Sequence, residues 1–523
     1  MAHRSTRALG AAAGRPRRLP QPPRRALTKV LVANRGEIAV RVLKALREMG
    51  IQSVAVYSDV DRTALHVARA DEAYALGGNT SLETYLRIDK ILEAARRSGA
   101  QAVHPGYGFL AENAAFARAC EDAGLVFIGP SADSMLALGD KIRARAVAQE
   151  AGVPLVPGSP GRVESSAEAE RVAADLGYPV MLKATAGGGG KGMRLVHDAG
   201  ELGRLFDTTA DEARKAFGNP DLFVEKFIVR PRHVEMQIFG DHHGHHVWIG
   251  ERECTIQRRH QKVIEEAPSP LLTPELRHRM GETAAALVAE VGYVGAGTVE
   301  FVADQEGCFY FLEMNTRLQV EHPVTELVTG IDLVQEQVRV AAGEPLSFLE
   351  RLPLAPRGWA IECRIYAEDP LNGFLPSVGR IAKFSVPYGP GVRNDFGIYE
   401  GYDVPVYYDP LLGKLAVWAE DRPRAIARLQ RALVDLQIEG VRCNQAFHAW
   451  VLRQPAFVAG ELDTGFIERY FEPEALEPTP DELQRFVAAA AIRAYQHDRR
   501  PKLPRADGTS RWTLSGRQHE GSV

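Results

Sequence analysis

Four consecutive glycines, Gly187 to Gly190, lie between Lys183 and Lys191, just after the apolar run Pro179 to Lys183. Backbone N–H groups without a Cβ can come close to phosphate oxygens, and a glycine loop can open and shut. A Walker A loop needs Ser or Thr after its Gly-Lys to hold magnesium. Gly192 follows Lys191 here, which rules that loop out. A dinucleotide-binding glycine turn opens directly into a helix, and no helical pattern follows. A plain flexible linker would not carry a second apolar run, Met193 to Val196, on its far side. The segment reads as a hairpin lid over phosphates.

Two acids come next. Gly297-Thr-Val-Glu300-Phe-Val302 and Phe309-Tyr-Phe-Leu-Glu313-Met314 have strand character, and Asp304-Gln-Glu-Gly307 between them is a turn signal. In a simple hairpin residue 300 pairs near residue 311, so Glu300 and Glu313 become diagonal neighbours on one face. Two carboxylates there repel and are costly to bury, unless a hard cation such as magnesium sits between them. The alternative is an exposed sheet face.

Asn315-Thr-Arg317-Leu-Gln319-Val320-Glu321-His322-Pro323 follows at once. Arg317 offers a planar fork suited to a small oxyanion. Gln319 can hydrogen-bond a carboxylate-like substrate, and Glu321 can act as a general base. An ordinary solvated loop would have a similar composition. Gln257-Arg258-Arg259-His260-Gln261-Lys262 is a cation-rich stretch fit for an anion, or a basic surface. Val224-Glu225-Lys226-Phe227-Ile228 is a strand ending in charge, uninformative alone.

The elements that position these groups follow from periodicity. Lys29 to Ala33 is a buried strand, and Asn34 with Glu37 looks like a capping box. Ile38, Val42, Leu46 and Met49 then recur at helical spacing up to Gly50, before a strand from Ile51 to Tyr57. The βαβ pattern repeats through Ala102-Val103, a helix from about Glu112 to Ala123, and Leu125 to Ile128, which predicts a parallel α/β domain. A helix over Asp140 to Gly152 leads into the Pro-rich linker Val153 to Gly158. Strands dominate from His233 to Glu472, with helices near Pro274 to Val291 and Pro423 to Leu436. Thr479-Pro-Asp-Glu482 is a capping box opening one tail helix.

Together these motifs resemble the biotin carboxylase family of the ATP-grasp superfamily, over residues 28–472. The likeness rests on Ala33-Asn-Arg-Gly-Glu-Ile38, His104-Pro-Gly-Tyr-Gly-Phe109, Gly139-Asp-Lys141, Lys183 through Met193, Arg258-Arg-His-Gln-Lys262, Glu313-Met-Asn-Thr-Arg317, Gln319-Val-Glu-His-Pro323 and Glu362-Cys-Arg-Ile365. The resemblance implies an α/β chain with the ATP-grasp fold: a Rossmann-like parallel domain (28–139), an ATP-grasp domain (140–340) with a glycine-rich lid (156–230), and a larger C-terminal mixed-sheet domain (341–472). A basic arm (1–27) and a tail (473–523) with a helix over 480–497 flank it.

The resemblance also implies roles. Lys141 and Lys183 would hold ATP phosphates, under a lid containing Gly189 and Gly190. Glu225, Lys226 and Ile228 would form the adenine hinge, with His233, Gln257 and His260 as further nucleotide contacts. Glu300 and Glu313, with Asn315 beside them, would bind Mg2+ (or Mn2+). Lys262, Arg317, Gln319 and the Val320 backbone would hold bicarbonate, Glu321 would deprotonate it, and Arg364 would steady the biotin enolate. Ala186 stands where the family usually has another glycine, and activity is expected to survive it. No Met-Lys-Met triplet is present. That predicts a subunit served by a separate biotin carboxyl carrier protein and carboxyltransferase, those of acetyl-CoA carboxylase first. Tyr366-Ala-Glu-Asp-Pro370 is also similar to subunits acting on propionyl-CoA. The family resemblance further implies a homodimer.

Bulk composition agrees. The chain has 523 residues, 45% apolar and 25% charged, with net charge −4, so neither nucleic acid nor a membrane surface is an expected partner. No run of about 18 apolar residues exists to span a bilayer. Five cysteines without a CxxC pair argue against a zinc site or disulfide framework and for the cytoplasm. Residues 1–27 hold seven arginines, four prolines and no acid; this reads as a basic arm dispensable for activity rather than an organelle-targeting peptide, whose amphipathic helix the prolines would weaken. Another ATP-grasp ligase forming an amide is the nearest competing function, and the Arg317–Glu321 cluster with Arg364 speaks against it. A non-catalytic scaffold would have lost one of Lys262, Glu300, Glu313, Arg317 or Glu321.

Overall fold

A computed structural model describes residues 25–184, 193–217 and 219–498. Five short apolar runs form its first sheet. They are β1 (Lys29–Val32), β2 (Gln52–Tyr57), β3 (Glu72–Ala75), β4 (Ala102–His104) and β5 (Val126–Phe127), in the order β3-β2-β1-β4-β5. Every ladder is parallel. Val30, Leu31 and Val32 of the central strand have no accessible surface, as in a sheet covered on both faces.

Helix Gly36–Glu48 buries Ile38, Val42 and Leu46 on the face that the spacing predicts. Its start differs from expectation. Arg35 is the N-cap, and no side chain caps the helix. Asn34 instead donates from Nδ2 to the carbonyls of Pro105 (2.7 Å) and Tyr107 (2.8 Å). Gly106, with φ +65 in this turn, lies against that amide, where an added Cβ would come within 3.0 Å of Nδ2. Glu37 is buried and accepts from the Tyr107 hydroxyl. The two capping-type residues therefore bind a distant loop rather than their own helix.

The second sheet is small and antiparallel: β6 (Val180–Ala184), β7 (Met193–Val196) and β8 (Leu222–Lys226), ordered β7-β6-β8. Lys183 pairs with Met193, so β6 and β7 flank the glycine run as hairpin arms. The glycines and Ala186 lie outside the described residues.

The third sheet has eight strands. β9 (Arg232–Gly240), β10 (His246–Arg258), β11 (Gln261–Ala267), β12 (Gly295–Ala303), β13 (Phe309–Asn315) and β14 (Trp359–Tyr366) join strands Val392–Phe396 and Leu411–Ala419. The order is β13-β12-β9-β10-β11-β14, then Leu411–Ala419, then Val392–Phe396, with antiparallel ladders throughout. The β11–β14 ladder carries this sheet across the boundary drawn at residue 340, and so puts Arg364 in one sheet with Lys262, Glu300 and Glu313.

The Pro-rich linker acts as a strap between sheets. The Phe311 N–H donates to Pro154 O at 2.7 Å, and the Lys226 N–H to Pro157 O at 2.8 Å. Three residues of chain reach at most about 10 Å, so β8 and β13 are held close.

In the tail, Thr479 and Glu482 exchange the capping-box bonds ahead of helix Pro480–Asp498. No helix among the described residues is long and apolar enough to cross a membrane. At the other end, the Arg25 N–H donates to Ala342 O (3.0 Å), and Leu27 is buried against a core that includes Ile331, Val338 and Phe348. Removing residues 1–27 is therefore expected to destabilise the protein by about 2 kcal/mol relative to removing residues 1–24. Urea unfolding of the two truncated forms checks this, and equal midpoints would refute it.

Candidate active site

Glu300 lies directly opposite Glu313 in the β12–β13 ladder. The simple hairpin expectation placed residue 311 there. A bulge shifts the register between Glu300 and Phe301, and Phe301 pairs with Phe311. The extra residue is Leu312, whose side chain is exposed. A bulge re-aims a side chain at the expense of one ladder step, and here it turns diagonal acids into facing ones. Glu300 is buried, so the exposed-face alternative fails for it. It accepts from Lys262 Nζ (2.8 Å), Asn315 Nδ2 (2.7 Å) and Gln319 Nε2 (2.7 Å), and its other oxygen is 3.1 Å from His233 Nε2.

Lys262 is the hub. Its ammonium lies 2.5 Å from Glu235, 2.8 Å from Glu300 and 2.7 Å from Glu321. Burial alone would lower its pKa, but the three carboxylates hold it well above the usual value. Burial pushes the Glu300 carboxyl up, yet Lys262 and His233 draw it well below the carboxylate range. Burial likewise raises Glu321, and Lys262 with Arg364 and Arg252 overcome this to leave it lowered. Burial would lower His233, but the Glu300 charge raises it to about 9.

A second cation supports the first. Arg252 is fully buried. It donates to Glu235 (2.5 Å), Gln237 (2.7 Å), Thr298 (3.0 Å), Gln319 (2.5 Å) and Thr325 (3.0 Å). Arg364 donates from Nε to Glu265 (2.5 Å) and from a terminal nitrogen to Glu321 (3.0 Å). Its carbonyl accepts from Asn444 Nδ2 (3.0 Å) and bonds His448 Nε2 (2.8 Å).

Arg317 rims the network. It bonds Glu112 (2.8 Å), Asn315 Oδ1 (2.9 Å) and the Leu318 carbonyl (3.2 Å). Glu112, expected to begin a helix, precedes helix Ala114–Asp122, which Asn113 caps instead. The Val320 carbonyl accepts from Lys414 Nζ at 2.8 Å.

The cation-rich stretch is split up rather than gathered. Arg258 bonds Glu368 (2.8 Å) and stacks on Phe374, while Gln257 is buried and donates to the Cys254 carbonyl. His260 sits exposed in the tight turn, with φ +65. Glu225, on β8, is buried and bonded to Lys183 (2.5 Å) and Arg145 (3.0 Å). The Lys226 side chain turns away to the Gly177 carbonyl (2.7 Å), and Ile228 follows beyond the strand end, half-buried. Lys141 opens helix Lys141–Glu150. Its side chain, like Gly189 and Gly190, lies outside the described residues.

The structure thus brings Lys262, Glu300, Gln319, Glu321, Arg364, Asn315, Arg317 and His233 into one bonded network. Sequence reading missed Glu235, Arg252, Glu265 and Glu112. One signal was available: His233, Glu235 and Gln237 alternate with Val234, Met236 and Ile238 in a strand whose nine residues are all buried. A polar face on a fully buried strand marks an internal polar site.

Glu300 and Glu313, with Asn315 beside them, offer the oxygen donors that a hard divalent cation takes, and so fit magnesium. A parallel α/β domain, a small hairpin sheet and a large antiparallel sheet bearing paired acids together define an ATP-grasp ligase. The comparisons sharpen this. The chain matches the biotin carboxylase N-terminal domain over residues 26–135, the ATP-binding domain of the carbamoyl-phosphate synthase L chain over 140–349, and the biotin carboxylase C-terminal domain over 362–469. It is 52% identical over 440 residues to a biotin carboxylase of Nostoc, covering 84% of this chain and 98% of the relative. It is 50% identical over 487 residues to the propionyl-CoA carboxylase alpha chain of Ruegeria pomeroyi, covering 88% and 71%. Among solved structures, a biotin carboxylase–β,γ-ATP complex from Campylobacter jejuni superposes with TM-score 0.78 at 45% identity, over 85% of this chain and 99% of that one. The biotin carboxylase domain dimer of Hydrogenobacter thermophilus 2-oxoglutarate carboxylase, with MgADP and bicarbonate, gives 0.78 at 47%, over 87% and 100%. The chain belongs to the biotin carboxylase family, ligases that use ATP, Mg2+ and biotin.

His448, fully buried beneath Arg364, has its pKa lowered from 6.5 to about 4 by burial, which outweighs its bond to the Arg364 carbonyl. A depressed histidine contributes stability that is present above pH 6.5 and lost as pH falls through 4, because only the unfolded chain takes up the proton in that window. His448→Gln is expected to flatten the fall in unfolding free energy between pH 6.5 and 4. Urea titrations across that range check it, and an unchanged slope would refute it.

Proposed function

We propose that this chain carboxylates biotin from bicarbonate through carboxyphosphate. The observation that carries the reading is Glu321: a buried carboxylate kept ionised between Lys262 and Arg364, beside the acid pair. Glu321 takes the proton of bicarbonate. A bicarbonate oxygen then bonds to the γ-phosphorus as the bridge to ADP breaks. Lys262, Arg317, Gln319 and the Val320 backbone hold the anion, and Lys183 and Lys141 steady the phosphates. Mg2+, held by Glu300 and Glu313 with Asn315, would supply charge neutralisation at the phosphates. Glu225, Lys226 and Ile228 receive adenine, with His233, Gln257 and His260 around the nucleotide, and Gly189 and Gly190 close over it. The C–O bond of carboxyphosphate breaks to carbon dioxide and phosphate. Phosphate removes the N1 proton of biotin, Arg364 stabilises the enolate, and N1 attacks the carbon dioxide while water is excluded.

The biotin is borne by a separate carrier protein, and the carboxyl group passes to an acyl-CoA carboxyltransferase, with acetyl-CoA the first choice. Relatives named simply biotin carboxylase, in Nostoc and Bacillus subtilis, are covered over 98% and 99% of their length, which supports a subunit of this kind. A second reading, propionyl-CoA, has its own support. The propionyl-CoA carboxylase alpha chains of Ruegeria pomeroyi and Sus scrofa match over 487 and 508 residues, further along this chain than the 440 of Nostoc. A homodimer follows from the likeness to the Hydrogenobacter domain dimer.

ATP hydrolysis by the purified protein is expected to depend on both bicarbonate and biotin, and hydrolysis indifferent to both would refute the assignment. Arg317→Ala should leave MgATP affinity within a few-fold and reduce turnover by about 10²- to 10³-fold. Unchanged turnover would remove Arg317 from the mechanism.

A further inference from the structure

Around Arg364 lies a group of buried acids that the reaction above does not use. Glu265 on β11 and Glu362 on β14 are direct cross-strand partners, and neither has any accessible surface. Residues so placed have Cβ atoms about 5 Å apart. One oxygen of Glu265 accepts from Arg364 Nε at 2.5 Å, and the other has no partner. Both oxygens of Glu362 lack a partner. Lys414 is the cross-strand partner of Arg364, and its ammonium bonds Glu37 on helix Gly36–Glu48 (3.1 Å) and the Val320 carbonyl (2.8 Å). The cluster therefore sets two cations, Arg364 and Lys414, against Glu265, Glu362 and Glu37, with Glu321 also bonded to Arg364.

We propose that Glu362 is protonated and neutral, so that Glu265 alone carries the charge of the pair and acts as the positioning residue for Arg364. A buried carboxylate with no hydrogen bond is far more costly than the neutral acid in the same place. Burial raises both carboxyls: Glu265, opposed by the Arg364 charge, to about 7, and Glu362 far above its ordinary range, so the proton belongs on Glu362 first. Glu265 grips Nε, which fixes the plane of the guanidinium. Its terminal nitrogens are left for Glu321 and for the reacting biotin. A second negative charge at Glu362 would weaken the electrophilic field that Arg364 presents, and the proton prevents this.

The inference rests on Arg364 serving the biotin half of the reaction. Arg364→Ala tests that premise by itself: full biotin-dependent turnover in this variant would overturn the assignment of Arg364. Given its loss, Glu265→Gln is expected to lower biotin-dependent kcat by about 10- to 100-fold, the worth of one charge-assisted hydrogen bond. KM for ATP should stay within about twofold, a split from kcat that general damage to the fold would not produce. Glu362→Gln, which mimics the neutral acid, should keep biotin-dependent kcat within about twofold. Wild-type kcat in Glu265→Gln, or an equal loss in Glu362→Gln, would overturn the proposal. Infrared difference spectra of wild-type against Glu362→Gln at neutral pH give a test that does not depend on the Glu265 variant folding. A protonated carboxyl band lost with Glu362 supports the proposal, and no such band overturns it.

Discussion

One buried ammonium organises the centre of this molecule. Lys262 is shared by Glu235, Glu300 and Glu321, which reach it from β9, β12 and the start of helix His322–Thr329. Without it three carboxylates would face one another inside the protein, and each uncompensated charge costs several kcal/mol. Arg252 completes the arrangement from beneath, binding Glu235 and Gln319 at once. Glu321 in turn links Lys262 to Arg364, and Asn315 links Glu300 to Arg317. Preorganised charge of this kind stabilises developing charge without reorganising during the reaction.

The surrounding fold reads as a set of devices for bringing distant segments to that centre. The N-terminal parallel domain supplies Glu112, which fixes Arg317, and Glu37, which binds Lys414. Asn34 clamps the His104–Phe109 loop so that Tyr107 can reach Glu37. The strap through Pro154 and Pro157 ties β8 to β13. The eight-stranded sheet joins the ATP-binding portion to Arg364 through the β11–β14 ladder. The boundary suggested by sequence near residue 340 thus falls inside one sheet, which carries Lys262, Glu300, Glu313 and Arg364 together.

Local expectations succeeded where the cause was local. The 3.6-residue spacing of Ile38, Val42 and Leu46 and the Thr479–Glu482 capping box appear as read, and the helix expected over Asp140 to Gly152 spans Lys141–Glu150. They failed where a tertiary partner competed. Asn34 and Glu37 have the spacing of a capping box, yet both are drawn to a loop some 70 residues away. Arg258, Arg259 and Lys262 look like one basic stretch, but alternation along a hairpin sends Arg258 to Glu368 and Lys262 into the core.

By itself the sequence determined the chemical inventory: a glycine run between lysines, two acids on consecutive strands, an Arg–Gln–Glu cluster behind them and the family those motifs mark. Side-chain type and short-range period carry that information. The tertiary structure alone decided that a bulge sets Glu300 against Glu313, that Glu235 and Arg252 support Lys262, and that Glu265 meets Arg364 across 99 residues of chain. Strand register and the charge state of a buried group depend on neighbours remote in sequence, and no local pattern encodes which neighbours those will be.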